Sequence, residues 1–125
     1  MRQHNQHFEH YHVNEAAALA ALDGNRQLLR ELAEMFCEDA PVLLDEMRTA
    51  LDESDATTAR RAIHSLKGLA STFFATNVNE LAQRWEQEAA SGNLATLKVT
   101  GAEEMSVAIQ GLIDELVARQ YARGR

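Results

Sequence analysis

Cysteine is almost missing from this sequence. Cys37 stands alone among 125 residues, so no internal disulfide can form and a reducing compartment suits the chain. Proline is equally scarce, with Pro41 the single example, and together with six glycines and 6% aromatics this excludes collagen-like, Pro-rich and low-complexity classes. Nowhere do eighteen apolar residues run together, and the opening MRQHNQHFEHYHVNE has no apolar stretch of signal-peptide type, so neither membrane spanning nor export is expected. Basic charge is short as well. With 12 Lys and Arg against 19 Asp and Glu, a net charge of -7 and no basic run, the chain lacks what grips a phosphate backbone. A nucleic-acid partner is not expected; a protein partner is.

What remains is a chain of 46% hydrophobic and 25% charged residues, long enough for one domain with one core. Residues 1–13 read as a flexible leader. Its histidines, His4, His7, His10 and His12, include two i,i+3 spacings that reach a metal only on a helix, and no carboxylate or cysteine set completes a site. Local packing or weak metal affinity are the alternatives for them.

From Asn14 onward helix formers dominate, and no segment combines strand alternation with hairpin turns. A short helix from Asn14 to Leu22 stops at Asp23-Gly24. Asn25 then caps a long apolar stripe, Leu29, Leu32, Phe36, Ala40, Leu43, Met47 and Leu51, interrupted by Pro41. The stripe stays in phase across the proline, which favours one kinked helix over two. Ser54 or Asp55 starts the next helix, running to about Phe74. Asn77 with Glu80, and Thr100 with Glu103, have capping-box spacing and predict the starts of two further helices, with Leu94 to Val99 an extra turn or a packed loop between them. The expectation is an all-α fold, an antiparallel four-helix bundle with an additional short N-terminal helix, spanning residues 14–121 with a flexible tail at 122–125.

The stretch IHSLKGLAS, from Ile63 to Ser71, holds the one histidine outside the leader. At 100 degrees per residue, Ala59, Ala62, Ile63, Leu66, Leu69, Ala70 and Phe73 centre opposite His64, while Arg60, Lys67, Gly68 and Ser71 fall within about 60 degrees of it. His64 therefore points away from the core. Two cations on its face would lower its pKa and suit an encounter with negative charge. Gly68 inside a helix costs about 1 kcal/mol relative to alanine and removes bulk where a second molecule would approach. A neutral imidazole nitrogen can take a phosphoryl group in line from an acyl phosphate and return it to another carboxylate, with Lys67 offsetting charge on the equatorial oxygens. With no obvious metal ligands beside His64, Mg²⁺ is expected to come with the partner.

His64-Ser-Leu-Lys67-Gly68 resembles the H-x-L-K-G core of the histidine-containing phosphotransfer (HPt) domain family. The likeness extends upstream, where Phe36-Cys-Glu-Asp-Ala-Pro-Val-Leu-Leu-Asp-Glu-Met47 is similar to the family's F-x-x-D-x-P-x-L-L-x-x-L helix, and downstream to Leu81 and the Trp85-Glu86 pair. It covers roughly Asn14 to Leu116. One departure stands out: many members have Gly-Ala after the phosphorylated helix, where this chain has Phe74-Ala75.

The resemblance implies a four-helix bundle in which His64 is the transient phosphoryl carrier, Lys67 stabilises phosphoryl charge and Gly68 gives receivers access. Arg60 and Ser71 are further candidates for partner access on the residue reading alone. It implies a relay in a two-component phosphorelay, between the receiver domain of a hybrid sensor histidine kinase and a response regulator, with no intrinsic cofactor and no ATP-dependent kinase activity. The absence of a G-x-x-x-x-G-K-[ST] loop and of an H-E-x-x-x-P-like segment at His64 agrees. A monomer suffices for such a role. The expected location is the cytoplasm, or the cytoplasmic side of the inner membrane if the sequence belongs to a hybrid kinase. The rival reading is a non-catalytic helical adaptor or inhibitor that binds a kinase or receiver domain.

Overall fold

The computed structural model describes residues 13–119 and 121–122. The leader histidines lie outside the described residues. Helices α1 (Glu15–Ala21), α2 (Arg26–Asp52), α3 (Ala56–Ser71), α4 (Thr76–Ala90), α5 (Leu94–Thr96) and α6 (Ala102–Ala118) follow in order, with a π-helical turn, Leu97–Gly101, leading into α6. The fold is all-helical. Helix α3 packs between α2 and α4, and α6 closes the ring against the same two neighbours. Short turns at 53–55 and 72–75 reverse the chain each time, which makes the four long helices an antiparallel bundle. Among the described residues, no helix is long and apolar enough to cross a membrane.

Local chemistry sets the helix starts. Asn14 and Asn25 accept from the backbone N–H groups of Ala17 and Leu28 at 3.1 and 3.0 Å, and Asp55 accepts from that of Thr58 at 3.1 Å. Each satisfies an N–H that the helix leaves without a partner. Three helix ends share another device, a backbone bond back across the last turn: Gly24 N–H to Leu19 C=O, Asp55 N–H to Ala50 C=O and Asn93 N–H to Glu88 C=O. The residue before each donor has positive φ, and only at Gly92 is it a glycine.

Pro41 does not split α2. A single helix runs through it, and Pro41 itself lies on the exposed side of α2. Two expected caps are absent. Helix α4 begins at Thr76 after Ala75, without a side-chain cap, so Asn77 already lies inside it and forms no capping box with Glu80. Thr100 likewise caps nothing, because the π turn carries the chain unbroken into α6. Leu97 drives that continuity. It is fully buried, and its burial favours a chain that stays helical here over one that stops and restarts at Thr100.

The core contains the expected stripes. Phe36 meets Phe73 edge to face at 5.5 Å, and Trp85, Met47, Ile63, Leu66 and Met105 are fully buried with them. Burial of a side chain such as Ile63 or Leu66 contributes about 1.5–3 kcal/mol, and these two residues turn the opposite side of α3 outward. At one end of the bundle Glu15 ties α1 to α2 and to the chain after α6: it accepts from Arg26 at 3.2 Å, from Arg119 at 2.9 Å and from the Tyr121 hydroxyl. Val13 and Ala122, read from the sequence as leader and tail, are both packed against this body, at 4% and 7% exposure.

Candidate functional site on the outer face of helices α3 and α4

Helix phase puts His64 outside, and its side chain is 65% exposed. The ring nevertheless has a fixed partner. Nδ1 of His64 lies 2.9 Å from Oε2 of Glu86 on α4. Glu86 is held below its ordinary value of 4.5: burial pushes it up, but the Lys67 ammonium and the His64 N–H on its two oxygens outweigh that. An ionised carboxylate only accepts. The His64 proton therefore sits on Nδ1, and in the neutral ring Nε2 keeps its lone pair and points to solvent.

Lys67 and Arg60 converge on the same carboxylate. The Lys67 ammonium is 2.9 Å from Oε1, and the Arg60 guanidinium is 3.9 Å from Oε2. Glu86 itself is only 14% exposed. The sequence expectation set two cations against the imidazole alone, and this carboxylate between them is the correction to that picture.

Gly68 lies one turn further along α3. A Cβ built there would meet nothing within 4 Å, so packing inside this molecule does not require glycine at this position. Ser71 belongs to a different arrangement. Its hydroxyl donates to the Lys67 carbonyl at 2.9 Å and accepts from Asn79 on α4 at 2.7 Å, pinning the ends of the two helices together. Of the five residues singled out from sequence, the fold thus joins His64, Lys67 and Arg60 through Glu86, leaves Gly68 open beside them and ties Ser71 into the bundle.

Glu86 is the site residue that sequence reasoning missed. In the sequence Glu86 is only half of the Trp85-Glu86 pair, because nothing within α4 says that it meets α3. Its position is fixed from behind. Trp85 is buried, donates from its indole N–H to Glu104 at 2.9 Å and packs on Gly101, where a Cβ would come within 2.7 and 2.8 Å of the ring.

The Hpt domain family model matches residues 31–119, from the first turns of α2 through the end of α6, and so takes in the whole site. The chain belongs to the Hpt domain family. No curated protein and no solved structure matched it. Membership implies histidine phosphotransfer in two-component signalling, and Hpt domains typically interact with receiver domains and kinases. The Hpt bundle thus presents His64 on an exposed face with its inner nitrogen held by Glu86.

Proposed function

We propose that this Hpt domain relays a phosphoryl group between receiver-domain aspartates, with His64 as the transient carrier through Nε2. The observation that carries the reading is the Nδ1 contact to Glu86, because it leaves the outward nitrogen as the one with a free electron pair. In the accepting direction the Nε2 lone pair attacks the phosphorus of an aspartyl phosphate. The N–P bond forms as the acyl O–P bond breaks, and the electron pair leaves with the aspartate carboxylate. Donation is the reverse. No proton is lost, since the one on Nδ1 stays on its carboxylate partner throughout.

Lys67 supplies positive charge for the equatorial oxygens, and its 23% exposure keeps it close to the face without covering it. Gly68 serves access. Glycine there lowers helix stability by about 1 kcal/mol with no packing return inside the molecule, which is sensible if another backbone must come close. Beside it, α2 and α3 form a hollow of about 530 Å³ lined by Asp39, Val42, Leu43, Ser65, Gly68 and Leu69, a mixed surface suited to a protein partner. Arg60 stands at the other side of His64. Mg²⁺ belongs with the partner in this scheme, because a carboxylate already shared by two cations and an imidazole is a poor donor set for a hard divalent ion.

Incubation with a phosphorylated receiver domain and Mg²⁺ tests the reading. Wild-type protein is expected to take up an acid-labile label, and His64→Gln to lose it while keeping its helical circular dichroism. Label retained by His64→Gln overturns the assignment, and normal receiver binding without any label in the wild type favours a binding-only adaptor.

A further inference from the structure

Lys67 has two demands on it that one ammonium cannot meet at once. It is the closest cation to the carboxylate that holds His64, at 2.9 Å from Oε1 of Glu86. It is also the cation assigned to the phosphoryl oxygens. The two ring nitrogens point away from each other, so a phosphoryl group on Nε2 lies on the far side of the imidazole from Glu86. Two charge-assisted hydrogen bonds of about 2.8 Å each set the widest gap an ammonium bridges, and the ring stands in that gap. Lys67 must release Glu86 to reach the phosphoryl group.

Release creates a second problem. Glu86 is 14% exposed, and a mostly buried carboxylate left without a cation is strongly disfavoured. Arg60 stands where it can answer this. Its guanidinium is 3.9 Å from Oε2, too long for a tight pair, and its side chain is 51% exposed and free to settle inward. It also shares with Lys67, Glu86, Gln83, Gln87 and Ala90 a pocket of about 310 Å³ between α3 and α4, which gives the guanidinium room to advance.

We propose that Arg60 is the reserve counter-ion of Glu86: when His64 becomes phosphorylated, Lys67 leaves Glu86 for the phosphoryl oxygens and Arg60 closes on the carboxylate in its place. The inference rests on the reading of His64 as carrier and gives Arg60 a positioning role, acting through Glu86 and not on the phosphoryl group or the partner. Glu86 thereby keeps the Nδ1 proton in both states of the cycle, so His64 presents the same nitrogen for acceptance and for return.

The test is the equilibrium constant for phosphoryl exchange with one receiver domain, measured for wild type, Arg60→Gln, Arg60→Lys, Glu86→Gln and the double variant Arg60→Gln/Glu86→Gln, each checked for native helical content. Gln at position 86 still accepts the Nδ1 proton but needs no counter-ion. Arg60→Gln is expected to shift the equilibrium about five-fold away from phosphohistidine, Arg60→Lys to stay near wild type, and Arg60→Gln to have no effect in the Glu86→Gln background. An equal loss in both backgrounds means that Arg60 acts directly on the partner or the phosphoryl group and overturns the proposal, as does no loss in either. Failure of the underlying reading looks different: His64→Gln then remains labelled, whatever the Arg60 variants do.

Discussion

Trp85 and Glu86 are neighbours on α4 with opposite surroundings. Trp85 faces α6 and the π turn, where space is so tight that Gly101 has no room for a methyl group, and Glu86 faces α3, where an imidazole and two cations meet it across polar contacts. One side is governed by sterics and the other by charge. The bundle thus makes a reactive surface without a deep pocket: close packing on the dry side fixes the helix, and the wet side inherits its position. Substitutions on the dry side should therefore change stability and spare the chemistry of molecules that remain folded. On the wet side the reverse should hold.

Trp85→Ala gives the largest expected effect, a loss of about 3–5 kcal/mol in urea denaturation, because it empties a fully buried site. Lys67→Ala follows. Phosphotransfer should slow about a hundredfold in a rapid-quench assay while stability moves by less than about 1 kcal/mol, because Arg60 closes on Glu86 when Lys67 is gone, and an equal collapse of folding would erase the proposed division. Gly101→Ala returns to the dry side: its Cβ would sit 2.5 Å from Leu97 Cδ1, so a loss of about 1–3 kcal/mol is expected, with transfer in the folded fraction unchanged. Phe74→Gly should instead stabilise by up to about 1 kcal/mol. Phe74 holds φ of 52° with its side chain 44% exposed, and glycine adopts that backbone without strain. A melting temperature that does not rise would mean that the ring returns in packing what the backbone loses.

The smallest effect is the pH dependence. Glu86 and Glu15 both lie below their ordinary value of 4.5 when folded. The stability they confer is fully present above that value and drains as pH falls through their lower folded values, because the unfolded chain binds protons first. Glu86→Gln should flatten part of that acid limb in urea midpoints collected between neutral and acid pH. Glu15→Gln should flatten another part, reporting the end of the bundle where Glu15 ties down α1 and not the His64 face.

These same contrasts explain what the sequence disclosed. The face of α3 was legible because a 3.6-residue period places His64 opposite Ile63 and Leu66 without knowledge of any other helix. Asn25 and Asp55 were legible as caps because the motif is local. The failures were of another kind. Thr100 with Glu103 has the spacing of a cap, but burial of Leu97 overrides it and keeps the chain helical through a π turn. Asn77 lost its cap to a helix that starts one residue earlier, at Thr76. Glu86 needed the register between α3 and α4, a tertiary quantity set by the buried faces of both helices. No period within either helix contains it.

Which nitrogen of His64 bears the phosphoryl group decides whether Glu86 holds the ring as described. A long-range proton–nitrogen NMR correlation of the phosphorylated protein, labelled with ¹⁵N in histidine, reads this directly. Phosphorylation at Nε2 with a proton still on Nδ1 is the expected result. A phosphoryl group on Nδ1, the nitrogen that meets Glu86 at 2.9 Å, would contradict the account at its centre.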